Sequence, residues 1–410
     1  MATGRRGAST AVKDLHDGQP VWSQSTYGTI TVSALTKDER CDVLVVGAGI
    51  TGALTALHLA EAGYDVIVVD RRVPGTGSTI ASTAMIQFEI DEPLTELAKT
   101  LGPAKAARVY RRSFQAVKDL KTLIKKHELR ADWVDRDALY LAGNVMGRRA
   151  LEKEARAREK IGLPSTYLDA ETLKEMYGFD RTGAIISAGA AELDPMRTCI
   201  ACLKAARDMG AKIYSPVSVT ASEQDGDDIR VATTDGPDII CRHLVMATGY
   251  EVSPAIPKGS FDIVSSWAIA TQPIKPQRFW RDRCLVWEAS DPYLYMRATA
   301  DNRIVIGGED ADVSAPSRRA AAIPAKSKKL LEKAKELTGL DEIECDYSWA
   351  GAFAENPKGL PVFKRLHDVK GGYAILGCGG NGITFSVIGA QIIRDWIGGT
   401  SDPDASLFRG

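Results

Sequence analysis

The stretch from Cys41 to Arg72 reads CDVLVVGAGITGALTALHLAEAGYDVIVVDRR. Asp42 to Val46 is a short apolar run of the kind buried in a parallel strand, and Gly47, Gly49 and Gly52 follow at GxGxxG spacing. Leu54, Leu57, His58 and Leu59 then fall within a helix, and a second apolar run, Val66 to Val69, ends on Asp70. Strand, glycine turn, helix, strand and acid in this order predict one parallel unit of an α/β sheet. Gly47 allows the tight turn out of the strand, Gly49 lets bare N–H groups approach a pyrophosphate, and Gly52 lets the helix lie close on the sheet. The helix start at Ile50 and Thr51 offers unpaired N–H groups and a positive dipole end to phosphates. Asp70, with Arg71 beside it, is placed to accept hydrogen bonds from a ribose. A glycine turn that binds nothing would need none of this context, so the stretch reads as a dinucleotide site.

Composition narrows the rest. The 410 residues suffice for two domains, and 52 basic against 53 acidic residues leave a net charge of −1 that asks for neither nucleic acid nor an anionic membrane. No uninterrupted apolar run approaches the roughly 20 residues that span a bilayer, and the polar residues 1 to 20 lack the apolar segment of a signal peptide. The seven cysteines are scattered and odd in number, which points to reduced thiols in a cytoplasm. Cys199-Ile-Ala-Cys202 lies inside a predicted helix without a preceding strand and reads as two core-facing cysteines. The five histidines show no ligand spacing, so no metal is expected.

Residues 1 to 40 read as an N-terminal extension that packs on the body as irregular structure or a short strand. After Asp70, the segment RRVPGTGSTIASTAM crowds Ser78, Thr79, Ser82 and Thr83 into one loop, placed to wrap phosphates with hydroxyl donors. Helices are predicted from Pro103 to Leu129, Arg148 to Lys160, Met196 to Met209 and about Ala325 to Leu337, with Ala211 to Ala221 as a β-rich run and Asp235-Gly236 as a hairpin turn. A buried strand ending in Ala247-Thr248-Gly249 would bring small residues to the ligand face of the sheet. Residues 261 to 310 read as a series of strands with a turn at Asp301-Asn302. Near the end, Gly377, Gly379, Gly380 and Gly382 flank Asn381, and an apolar helix through Ile383 and Thr384 follows at once. Such a loop lets backbone N–H groups approach a planar ligand and aims a helix dipole at it, as the negative N1/O2 edge of a reduced flavin would require. One glycine loop at the start and one more than three hundred residues later fit a long cofactor, FAD, better than NAD.

These pieces together resemble the FAD-dependent oxidoreductase family of D-amino acid oxidase type, which also contains glycine, sarcosine and gamma-glutamylputrescine oxidases. The resemblance rests on VVGAGITG with Asp70, GSTIAST, AAELDPMR, VMATGY, LYMRATADNRIVIGG, WAGAFAENPKGLPV and GCGGNGITFS, in family order from Cys41 to Ile397. It implies a mixed α/β fold with a Rossmann-like FAD domain of residues 41–95, 190–250 and 355–410, interwoven with a sheet-rich substrate domain of 96–189 and 251–354. It implies an adenine-end contact at Val217, and noncovalent FAD, since WAGAFAE has no cysteine where some relatives attach flavin, although Cys378 lies near the expected ring.

The resemblance further implies oxidation of a C–N bond, with hydride passing from the carbon next to an amine to flavin N5 and the imine product hydrolysing. The substrate would be a small amine or amino acid, and the acceptor oxygen or an electron-transfer partner. No strong general base is needed if the amine binds neutral, so orientation carries the site. Arg297 is the expected anchor for a substrate carboxylate, Tyr295 on the same strand face a pocket residue, Trp349 a wall, and Asn381 a hydrogen-bond partner of ring or substrate. A flavin hydroxylase would carry a second Gly-Asp flavin motif late in the chain, which GCGGNGITF lacks. A flavin-binding protein without amine turnover is the remaining alternative.

Overall fold

The protein, described here as a computed structural model, is defined over residues 13–24, 28, 30–234, 236–251, 262–355 and 359–408. The first twelve residues of the expected extension and Asp235 of the expected hairpin turn lie outside the described residues. Two sheets organise the chain. The eight-stranded sheet has a parallel core ordered Gly372–Leu376, Ile239–Met246, Glu39–Val46, Val66–Val69 and Lys212–Tyr214. These strands read as nearly continuous apolar runs because both of their faces are covered. Their register places Ala374, Met246, Val46, Val69 and Tyr214 in one row at the carboxyl edge. The loops after all five strands therefore leave from one edge, where open α/β sheets bind ligands.

Against one face of this sheet lie the first helix, Ile50–Glu61, the helix Pro195–Asp208 and the last helix, Gly382–Ile397. Pro195–Asp208 starts where Asp194 accepts from Met196 and Arg197 N–H at 2.8 and 2.9 Å, a full N-cap with proline at the first position. Cys199 and Cys202 are both buried in the core, as the sequence predicts. His58 is also buried, and desolvation lowers its pKa to about 4, so it packs as a neutral ring.

The ten-stranded sheet is ordered His16–Gly18, Cys345–Glu355, Asp262–Thr271, Ile304–Ala311, Leu294–Ala298, Leu285–Glu288, Val134–Leu141, Gly183–Glu192 and Met85–Ile86, with Ser165–Asp169 also on Gly183–Glu192. Met85–Ile86 joins this sheet from within residues 41–95, and His16–Gly18 joins it from the extension. The arm that carries His16 is fixed by Asp17, which accepts from Arg319 Nε at 2.6 Å. Arg319 belongs to a helix that runs from Pro316 to Thr338, through Pro324, and not from Ala325 as the proline suggests. Two other expectations shift: the helix from Pro103 ends at Lys126, and residues 215–218 are not strand, since the next strand begins at Val219.

Candidate active site

A cleft lies between the two sheets, with about 1590 Å³ of empty space measured out to open solvent. Residues from the loops after the parallel strands and from the facing sheet both line it. Its parallel-sheet side consists of the five strand ends. Gly47 has φ +113°, and a Cβ there would stand 2.3 Å from the Ala247 carbonyl oxygen of the neighbouring strand end. A Cβ on Gly52 would lie 1.7 Å from Gly47 O, which is why the first helix can begin so close to the turn. Gly49 lines the cleft with Ile50 and Thr51, and Thr79 Oγ1 accepts from Ile50 N–H at 3.0 Å. Asp70 accepts from Ala48 N–H at 2.6 Å and Arg72 N–H at 2.7 Å. Burial nonetheless raises its pKa.

The neighbouring pieces converge as their order along the chain implied. Arg71, Ser78, Ser82 and Thr83 line the cleft, as do Val217, Ala247, Thr248 and Gly249. Val217 N–H donates to Asp70 O at 2.7 Å, so the irregular segment after Tyr214 is held where a strand was expected. From the last loop, Gly379, Gly380, Gly382 and Ile383 face the same space. Thr51 Oγ1 and Ser386 Oγ lie 2.8 Å apart, joining the first turns of the first and last helices. Two positive helix ends thus meet at one cleft.

Three sequence expectations land elsewhere. Gly52 does not line the cleft but packs closely, in the role its spacing gave it, whereas Thr384 is turned away and its Oγ1 donates to Gln87 O at 3.1 Å. Asn381 is buried, and its amide donates to Glu89 O at 2.6 Å and Gln87 O at 3.2 Å, tying residues 87–89 to the last helix. Arg297 corrects the expected anchor. Its guanidinium donates to the carbonyls of Thr83, Ala298 and Leu193 at 2.6, 3.0 and 2.8 Å, and it borders a separate cavity with Trp22 and Glu192. Desolvation lowers its pKa to about 10, and its nearest carboxylate, Glu192, is 3.8 Å away. Three of its five N–H donors thus go to neighbouring carbonyls, and the group borders that cavity rather than the cleft.

The facing side is aromatic. Tyr295 lines it together with Trp349, whose indole N–H donates to Ala81 O at 2.9 Å. Tyr250, Tyr293 and Phe353 complete the wall, although sequence reading missed them. Tyr293 and Tyr295 lie with ring centroids 5.4 Å apart. The glycine pair in RIVIGG makes room for them: a Cβ on Gly307 would stand 2.3 Å from the Tyr295 ring, and one on Gly308 2.2 Å from Tyr293 O. That pair was the available signal, since adjacent glycines in a strand mark close approach. Glu251 was also missed; it pairs with Arg72 at 2.7 Å and accepts from Lys13 N–H, bringing Leu15 of the N-terminal arm to the cleft. Cys378 lines the cleft with its thiol pKa pushed up to about 12 by burial, so it is held as the neutral thiol.

A crevice at the carboxyl edge of a parallel sheet, with two glycine turns opening helices into it, defines a dinucleotide-dependent α/β enzyme. The family described as FAD dependent oxidoreductase matches residues 42–396, and the chain belongs to that family. The gamma-glutamylputrescine oxidoreductase of Escherichia coli (strain K12) is 27% identical over 388 residues, covering 90% of this chain and 86% of that protein. The glycine oxidase of Bacillus licheniformis is 25% identical over 347 residues, covering 80% and 85%. In fold, the crystal structure of L-proline dehydrogenase from P. horikoshii superposes with a TM-score of 0.76 at 19% identity, covering 91% of this chain and 97% of that one. The chain is an FAD-dependent oxidoreductase. Among the described residues, no helix is long and apolar enough to cross a membrane, and no cluster of side chains could hold a metal ion.

Proposed function

We propose that the protein oxidises the C–N bond of a small amine or amino acid to an imine, which water then hydrolyses. The observation that carries this reading is the two-sided cleft, with a phosphate-binding turn and two helix ends on one side and an aromatic wall on the other. The residues present fit FAD: Gly47, Gly49, Gly380 and Asp70 line the cleft, and we assign the ribose to Asp70. When bound, FAD would supply the electron sink for a hydride from the carbon next to the nitrogen. Gly49 and the first helix turn would hold its pyrophosphate, Asp70 its ribose, and Gly379 to Ile383 its ring edge. We assign noncovalent binding, since residues 349–355 contain no cysteine.

What the chain itself must do is hold the substrate carbon in line and keep water out. Tyr295 and Trp349 supply flat, rigid walls for that. Neither histidine nor lysine lines the cleft among the described residues, so the amine reacts as the neutral base and gives its proton to solvent beforehand. Like this chain, the two enzymes above that act on amines or amino acids span most of the matched length. The test is anaerobic addition of amines, amino acids and N-methylated amino acids to the yellow protein. Bleaching of the visible band is expected with at least one, and admission of air then separates an oxidase from a dehydrogenase that needs a protein acceptor. A protein that cannot be loaded with FAD sinks the reading.

A further inference from the structure

Three consecutive carbonyls of the loop before Met85 are held by side-chain N–H donors from three distant parts of the chain. Ala81 O accepts from the Trp349 indole at 2.9 Å, Ser82 O from the Trp22 indole at 2.7 Å, and Thr83 O from Arg297 Nε at 2.6 Å. Trp349 lies on the strand Cys345–Glu355, Arg297 on Leu294–Ala298, and Trp22 on the N-terminal arm. All three donor residues are buried. They also hold one another: the Arg297 guanidinium stands over the Trp22 ring at 5.1 Å, and Trp22 and Trp349 share one apolar cluster. Ala84, the next residue of the loop, has φ +54°, a left-handed conformation that is strained for alanine. Such strain persists only where the surroundings over-determine the backbone, and donors on three successive carbonyls do so.

The loop held in this way belongs to the cleft. Ala81, Ser82 and Thr83 line it, whereas Trp22 and Arg297 border the separate cavity. The loop starts at Thr79, bonded to Ile50 N–H of the first glycine turn, and ends in Met85–Ile86 on the facing sheet. It therefore crosses from the phosphate end of the cofactor side to the substrate side. In a planar trans peptide the C=O and N–H groups point in opposite directions. Because Ser82 O points to Trp22, Thr83 N–H points away from Trp22 and from the cavity that Trp22 borders. Turning this peptide over would strip Ser82 O of its donor.

Resting on FAD in this cleft and not on any particular substrate, we propose that Trp22 of the N-terminal arm, with Arg297 and Trp349, is a positioning residue for the flavin: its indole fixes the Ser82–Thr83 peptide so that Thr83 N–H is presented to the cofactor. A reduced flavin carries negative charge, so a fixed N–H donor favours the reduced ring, and freeing that donor lowers the reduction potential. The experiment compares two substitutions. Trp22→Phe keeps an aromatic ring beside Arg297 and removes the N–H; Trp280→Phe makes the same change at a buried indole that donates to Cys284 O at 2.8 Å and does not line the cleft. Both FAD-loaded proteins are reduced anaerobically against reference dyes. Trp22→Phe should lower the potential of the bound flavin by about 20 mV, a change of about fivefold in the oxidised-to-reduced equilibrium, and Trp280→Phe should leave that equilibrium within about 1.5-fold of the parent's. A potential that stays or rises in Trp22→Phe, or falls equally in both variants, overturns the proposal. If Trp22→Phe does not fold or holds no FAD, the change is made in the Ala84→Gly background, where glycine takes the positive φ without strain. The same fall relative to Ala84→Gly alone supports the assignment there; no fall, or no folded FAD-loaded protein, overturns it. No substrate is added, so failure of the amine-oxidation reading leaves this result standing, whereas a parent protein that takes up no FAD overturns both.

Discussion

Asp70 lines the cleft, Asp91 lies against the Gly380 loop that borders it, and the two carboxylates are held differently. Asp70 accepts two backbone N–H groups at 2.6 and 2.7 Å, from Ala48 and Arg72, whereas Asp91 accepts one at 3.3 Å, from Gly380. Burial raises the pKa of both; at Asp70 the backbone N–H groups and Arg72 oppose it, and at Asp91 the Gly380 N–H does. The parallel-sheet side is thus finished by its own backbone before any ligand arrives, as suits a resident cofactor.

Breaking the finished side should have the largest effect. Gly52→Ala puts a methyl group 1.7 Å from Gly47 O, a backbone atom that cannot move without opening the turn. Almost complete loss of bound flavin is expected, measured by visible absorbance of the purified variant. Next comes Arg297→Met, which strands three carbonyls and a nearby carboxylate. It should cost about 3–5 kcal/mol in denaturant unfolding and leave the substrate KM within about twofold. A large KM change at unchanged stability would restore Arg297 as an anchor. Asp70→Ala orphans two N–H donors, each worth about 1–3 kcal/mol. It should weaken FAD binding by at least about tenfold in titrations of the apoprotein, and an unchanged Kd would break the comparison outright.

The mildest change sharpens the comparison from the other side. Gly307→Ala presses a methyl group against the far end of the Tyr295 ring, which can swing away. Flavin content and unfolding midpoint should stay near the parent's, while kcat/KM falls by a few fold, about 1 kcal/mol. A parallel loss of flavin would mean that the two sides are not separable.

Spacing made the cofactor side legible in advance. Gly47, Gly49, Asp70 and the loop before the last helix line the cleft because each follows a strand whose apolar run was visible, and parallel strands deliver their ends to one edge. The substrate side was much less legible. Tyr295 and Arg297 share a strand face by period two, yet Tyr295 reaches the cleft and Arg297 a separate cavity. Asn381 sits in the right loop, but its amide turns to the carbonyls of Gln87 and Glu89. Periodicity sets a residue's face; it does not say which carbonyl lies opposite.

By itself, the sequence determined the parallel unit, the two glycine turns and the acid after the second strand, because backbone sterics and hydrophobic burial act over neighbouring residues. Tertiary structure alone decided the chemistry of the facing wall. Tyr293 and Asp310 lie seventeen residues apart, and Asp91 lies far from both. Antiparallel pairing of Leu294 with Gly308 brings the first two together, and the contact of Asp91 with Gly380 brings the third. Such meetings depend on strand register and on the packing of one sheet against the other.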